Sequence, residues 1–205
     1  NLSLTEIEAL FVEMEEPKYR ARQLMRWLWR EGGKSIDDMS NFNKTLRAKI
    51  SERFEIRYPK IIKSEKSEDG TIKYLFLLDD FKTVESVWIP RGDKGRVTVC
   101  VSSQVGCKMG CTFCLTAQQK VERNLTAGEI AAQILAMPGR EEVTNCVLMG
   151  MGEPFDNYDN LIGSLGLMTD QEALGLAPRR VTVSTSGLIP AIKRFAVDSK
   201  CKLAV

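Results

Sequence analysis

Histidine is absent from all 205 residues, so no imidazole is available to complete a metal site. No run of about eighteen apolar residues occurs, which excludes a membrane-spanning helix of the usual kind. No secretory segment opens the sequence as given, and the six cysteines group around one loop; both features point to a reducing cytoplasm rather than a disulfide framework. Charge of one sign is lacking too. With 29 Lys and Arg against 27 Asp and Glu the net charge is +2, too small to argue for a nucleic-acid partner, so that case must rest on local patches. What remains is a chain that is 43% hydrophobic and long enough for one large domain or two modest ones with a real core.

Against that background one stretch stands out. Residues 100–114 read Cys-Val-Ser-Ser-Gln-Val-Gly-Cys-Lys-Met-Gly-Cys-Thr-Phe-Cys, which places four of the six cysteines in fifteen residues. Cys107, Cys111 and Cys114 have C-x3-C-x2-C spacing, directly after a strand-like run from Val97 to Ser102. Thiolates are soft ligands suited to iron–sulfur clusters, zinc and Cu(I), and such spacing lets one loop aim several sulfurs at one centre. Gly106 and Gly110 allow the tight curl this needs. Three thiolates leave a four-position site one ligand short, which suits an open coordination position better than a closed structural zinc. A zinc knuckle that recruits Cys100 or Cys146, and ordinary buried cysteines, stay open on the residues alone.

The N-terminal part reads as helical. Ser3 and Glu6 form a capping box ahead of Ile7, Leu10, Phe11 and Met14 at helical spacing, with the helix ending near Pro17. In a second helix Arg22, Arg26 and Arg30 stand four apart on one face, opposite Leu24, Trp27 and Leu28. That row is either a solvated surface or a phosphate-binding face. A third helix over residues 43–54 carries Leu46, Ile50 and Phe54. Beyond Pro59, residues 61–66, 71–78 and 83–89 read as three antiparallel strands, turning at Asp69-Gly70 and Asp79-Asp80. Glu85 lies inside the third strand, where the plain reading is the solvent-facing half of an alternating pattern.

From residue 97 the rhythm becomes strand and helix in alternation. Strands are predicted at 97–102, 145–149, 181–184 and from 202; helices at 126–137, 159–168 and 189–196, the first opened by a second capping box, Thr126 and Glu129. Such alternation predicts parallel β/α units, whose ligands gather at the carboxyl ends of the strands. Cys107, Cys111 and Cys114 follow the first of these strands, Gly150-Met-Gly-Glu-Pro154 the second and Ser184-Thr-Ser-Gly187 the third. Glycines 150 and 152 permit close backbone approach, and Glu153 offers an acceptor for a ligand ammonium. Cys100 reads equally as plain strand core.

The triple-cysteine spacing, with Phe113 before the last cysteine, resembles the signature of the radical SAM superfamily. Around it, Val84-Glu85-Ser86-Val87, Cys100 to Cys107, Thr116-Ala-Gln-Gln119, Arg123-Asn-Leu125, Gly150 to Pro154 and Arg179 to Gly187 together resemble the RlmN/Cfr type of radical SAM RNA methyltransferase. The resemblance implies an α/β fold: a partial (β/α)6 barrel preceded by a small helical domain and a short antiparallel sheet. The units would be residues 1–58 for RNA binding, 59–95 as a β extension, and 96–205 as a barrel cut in its fourth β/α unit. It further implies that Cys107, Cys111 and Cys114 hold a [4Fe-4S] cluster, and that Gly152, Glu153 and Ser184 contact S-adenosylmethionine. Glu85 becomes the proton acceptor. Cys100 becomes the residue that takes a proton from the RNA adduct and resolves it through a transient disulfide, while Cys146 and Cys201 are strand interior.

The implied reaction is methylation of C2 of an adenine in 23S rRNA, and of tRNA, by way of a methylcysteine near the C-terminus. Methylation at C8 by the resistance-type relative, or a non-catalytic zinc-binding RNA module, are the alternatives. A flavodoxin or ferredoxin as one-electron donor, a monomer and a cytoplasmic location complete the expectation. The sequence starts at Asn1 and ends at Val205 without that second cysteine, which predicts a fragment with raw sheet edges.

Overall fold

The computed structural model describes residues 2–92 and 95–205. Helix α1 (Leu4–Glu13) starts where its capping box predicts: the Ser3 hydroxyl accepts from the Glu6 N–H, and Glu6 accepts from the Ser3 N–H at 2.7 Å. Helix α2 (Tyr19–Met25) runs on into a π-helical turn, Arg26–Arg30, closed by the Glu31 N–H on the Arg26 carbonyl at 2.9 Å. Its buried stripe is Ala21, Met25 and Trp29; Leu24, Trp27 and Leu28, predicted as the core face, are half-buried flanks. In an α-helix every fourth side chain drifts by about 40°, and the wider π turn offsets that drift, keeping Trp29 inward. Helix α3 (Lys44–Ser51) is capped by Asn43 and shorter than predicted. Ile7, Phe11, Met39, Phe42, Leu46 and Ile50 close this helical core, with the Phe11 and Phe42 rings 6.1 Å apart.

Strands β1 (Lys60–Lys66), β2 (Ile72–Leu77) and β3 (Thr83–Arg91) are antiparallel, as the turn signals predict. They do not form a sheet of their own. β3 pairs antiparallel with β4 (Arg96–Cys100), which in turn pairs parallel with β7 (Val143–Leu148). β8 (Val181–Ser184) and β9 (Lys202–Ala204) follow, giving one seven-stranded mixed sheet in the order β1-β2-β3-β4-β7-β8-β9. Helices α4 (Ala127–Ala136), α5 (Tyr158–Thr169) and α6 (Ile189–Asp198) connect the parallel strands, so three β/α units and the strand of a fourth are present. Val99, Cys146, Leu148, Val181 and Val183 are all but fully buried, which marks one face of the parallel strands as the covered one. The opposite face carries Cys100, Val147, Thr182 and Lys202 in register. Among the described residues no helix is long and apolar enough to cross a membrane.

Between β4 and α4 the chain makes an excursion whose base is a two-residue ribbon, β5 (Gln104–Val105) with β6 (Arg123–Asn124). Arg123 anchors it. Its guanidinium donates to Asp80 at 2.6 Å and to both oxygens of Glu129 at 2.8 and 2.9 Å, joining the β2–β3 turn, the ribbon and the first turn of α4. Burial pushes the Glu129 carboxyl up, but Arg123 and Thr126 outweigh it and hold it below its ordinary value; Arg123 also holds Asp80 low. Both folded values lie below the unfolded ones, so the stability they add is complete only above about pH 5 and is lost as pH falls through the folded values. Arg123→Met is therefore expected to cost about 2 kcal/mol near neutrality, with a Tm deficit that narrows in acid. A deficit as large at pH 3 as at pH 7 would contradict this account.

A candidate active site on the strand rim

The excursion from β5 to β6 holds Cys107, Cys111 and Cys114. It turns at Gly106 (φ +78°) and Gly110 (φ +68°), the two positions the sequence marks for a tight curl. A local turn from Cys114 N–H to the Cys111 carbonyl at 3.0 Å brings those two residues together. Cys107 is buried and the other two are half-buried. Burial pushes the Cys107 thiol up; the Met109 backbone works against this, while Cys114, Glu153 and Cys111 push the same way as burial.

Three thiols on one loop, in a chain without histidine, make a donor set one short of a closed zinc site and suited to a cluster that keeps an open position. Among the described residues no three Cys, Asp or Glu side chains are drawn together tightly enough for one metal ion. Cys146 sits fully buried on the covered face of β7, away from this loop, so it does not supply a fourth ligand. Phe113 and Leu115, on the same loop, are 92% and 74% exposed.

The turn after β7 lies against this loop. At Gly152 (φ +96°) a Cβ would come within 2.6 Å of the Gln104 Cβ, so only glycine permits the approach. Glu153 is 4% exposed, and its carboxylate accepts from the Phe155 N–H at 3.0 Å and from the Ser186 N–H and hydroxyl at 2.8 and 3.0 Å. Ser186 belongs to the turn after β8, beside Ser184, so the three rim segments are joined through side chains. A carboxylate offers about four acceptor positions; three are filled, and one is left for a further donor. Ser184 is half-buried at the end of β8.

Glu85 and Cys100 form a second group, on the strand face rather than in the loop. Val87 faces Cys100 across β3 and β4, so Glu85, two residues along, lies on the same side, diagonal to the thiol. The Ser102 hydroxyl donates to the Glu85 carbonyl and accepts from the Met151 N–H at 2.8 Å, fixing the strand to the Gly152 turn. Glu85 is paired with Lys73 at 3.3 Å, both about half exposed. Burial pushes the Cys100 thiol up, with the Met149 backbone opposing, so it is held as thiol rather than thiolate near neutrality.

Two sequence expectations need correcting. All six cysteines are free, and the transient disulfide implied for Cys100 is drawn to a cysteine outside this chain. Cys201 sits in the bend ahead of β9 and is half-buried, not strand interior, because β9 starts one residue later. Arg22, Arg26 and Arg30 are exposed on one side as expected, yet Arg30 donates to the Gln171 carbonyl at 2.5 Å and Arg26 meets Glu31 at 3.6 Å. Sequence reasoning also missed Gln104, Ser102, Gln133 and Ser186. Their signal was polarity next to a motif, which periodicity does not separate from loop. A cavity of about 430 Å³ between the N-terminal helices and α4, lined by Phe11, Trp29, Ile50, Tyr58 and Ala132, involves none of the rim residues.

Comparison with known proteins agrees with this geometry. A family model described as ribosomal RNA large subunit methyltransferase N-terminal domain matches residues 1–56, and the radical SAM superfamily model matches residues 101–199. The dual-specificity RNA methyltransferase RlmN of Marinobacter nauticus is 41% identical over 97% of this chain and 56% of its own length. That of Nitratiruptor sp. is 47% identical over 87% of this chain and 55% of its own length. A probable dual-specificity RNA methyltransferase RlmN from Phocaeicola vulgatus is 41% identical, covering 99% and 58%. The crystal structure of a radical SAM methyltransferase from Sphaerobacter thermophilus superimposes with a TM-score of 0.89 at 41% identity, over 100% of this chain and 61% of the other. The chain thus spans a little over half the length of the curated relatives it matches.

Proposed function

This chain belongs to the RlmN family of radical SAM methyltransferases, and on that premise we propose that it is the N-terminal and central part of an enzyme that methylates C2 of an adenine in 23S rRNA, and in tRNA. Cys107, Cys111 and Cys114 are the proposed ligands of a [4Fe-4S] cluster, and Gly152, Glu153 and Ser184 the proposed contacts to S-adenosylmethionine. The observation that carries the reading is the buried Glu153 carboxylate, held by Ser186 and Phe155, with its backbone N–H on Gln104 at the start of the cysteine loop and one acceptor position left. An ammonium group fills such a position well.

Bound together, the two cofactors supply a one-electron route to a ring carbon that is a poor nucleophile. The chain's own residues have narrower tasks. Glu85, on the strand face diagonal to Cys100, is the proposed acceptor of the ring proton. Cys100 enters as a buried thiol and resolves the adduct as thiolate once its own proton has passed to water. The Ser102 hydroxyl ties the Glu85 backbone to the Gly152 turn. Residues 1–58 are the proposed RNA-binding unit, with Arg22 and Arg26 as its exposed cations; residues 59–95 form the β extension and 96–205 the barrel portion. A flavodoxin or ferredoxin is the proposed electron donor.

In the full-length protein Cys100→Ala is expected to keep its iron and to accumulate RNA covalently attached to protein, visible on a denaturing gel. Loss of iron in that variant would contradict the assignment. Mass spectrometry of the RNA product tests the regiochemistry: a methyl group at C8 instead of C2 would overturn the proposed reaction.

A further inference from the structure

The side chain of Gln104 is fully buried and makes three hydrogen bonds to two other segments, the Glu153–Asp156 turn and the loop exit at Asn124. Its Oε1 accepts from the Glu153 N–H at 2.8 Å, and its Nε2 donates to Asn124 Oδ1 at 2.7 Å and to Asp156 Oδ2 at 2.9 Å. The amide orientation is dictated by its partners: a backbone N–H can only donate, and the Asp156 carboxylate accepts. The other oxygen of Asp156 pairs with Lys108, the residue after Cys107. Backbone bonds add to this, since the Ser103 and Gln104 N–H groups both point at the Met151 carbonyl, at 2.8 and 3.2 Å. The start of the cysteine loop, its exit at Asn124 and the Glu153 turn are therefore one hydrogen-bonded unit, with Gln104 at its centre.

From this we infer that Gln104 is the positioning residue that sets how far the Glu153 carboxylate stands from the cysteine loop, so that one cosubstrate meets both. The inference rests on the proposed function, in which Glu153 receives the ammonium of S-adenosylmethionine and the loop carries the cluster. Gln104 touches neither group. It acts through the Glu153 backbone, two covalent bonds from the Glu153 side chain, and through Asp156 and Lys108 on the loop. A replacement at this position must keep an acceptor for the Glu153 N–H, which is buried and has no water to turn to, and must not repel the half-buried Asp156 carboxylate.

The test uses the full-length protein after anaerobic reconstitution, and reads iron content, the dissociation constant for S-adenosylmethionine by equilibrium dialysis, and the change that it causes in the electron paramagnetic resonance spectrum of the reduced cluster. Gln104→Glu keeps the acceptor for the Glu153 N–H but sets a carboxylate against Asp156. Its iron content is expected to stay at the wild-type level, while the dissociation constant rises by about tenfold or more and the spectral change weakens. Adding Asp156→Asn gives the new carboxylate a donor, and Asn124 can turn its amide to supply another. The double variant is expected to recover binding to within about threefold of wild type. Unchanged binding in Gln104→Glu overturns the inference, as does iron loss parallel to binding loss, which would make Gln104 a folding element of the loop only. Failure of the second substitution to improve on the first overturns it too. If the unsubstituted protein takes up iron but does not bind S-adenosylmethionine, the proposed function fails and takes this inference with it.

Discussion

Alanine at Cys107, Cys111 or Cys114 is expected to bring bound iron from about four per chain to almost none after anaerobic reconstitution of the full-length protein, with the brown colour lost. The reason is the donor set. The chain has no histidine to stand in for a lost thiolate, and Cys146 is sealed on the covered face of the sheet. Cys146→Ala and Cys201→Ala serve as controls and are expected to keep full iron, because both side chains lie outside the loop. Iron retained in any of the three loop variants would remove the basis for a cluster there. One stoichiometric zinc with no iron uptake in the unsubstituted protein would favour the binding-module reading instead.

Gly106→Ala is expected to lose iron nearly as completely, although it removes no ligand. The residue holds φ at +78°, where an alanine is strained by about 1–2 kcal/mol. Its new Cβ would stand 2.2 Å from the Lys120 carbonyl oxygen, which is backbone and cannot swing aside. To admit the methyl group, either the loop entry or the loop exit must move, and the entry carries Cys107. Gly110→Ala separates the two causes. It has a similar φ of +68°, but no atom lies within 4 Å of where its Cβ would go. It is expected to bear the conformational cost alone, about 1 kcal/mol, and to bind iron close to the wild-type level. Equal iron in the Gly106 and Gly110 variants would show that the contact with Lys120 does not govern the loop.

Much of this architecture is readable in the chain. The two capping boxes, at Ser3 and Thr126, set helix starts that the structure reproduces, since each depends on residues three apart. The parallel strands lie within one or two residues of their predicted bounds, because buried strands leave continuous apolar runs and their helices a 3.6-residue period. Helix α3 ends early, and the π turn at Arg26–Arg30 has no local signature. Cys107, Cys111, Cys114 and Glu153 are singled out by spacing and glycine context, which are properties of a loop's own residues.

Sequence alone determined the identity and spacing of the thiolates, the order of β and α segments and hence the rim on which the chemistry gathers, because these follow from local periodicity and ligand type. Tertiary structure decided the rest. That the antiparallel strands continue the parallel sheet through β3 and β4, that Arg30 reaches Gln171, and that Gln104 ties the cysteine loop to the Glu153 turn are all contacts between residues far apart in the chain. Hydrogen bonds of that kind leave no period or motif behind. They exist only once packing has brought their donors and acceptors within about 3 Å of each other.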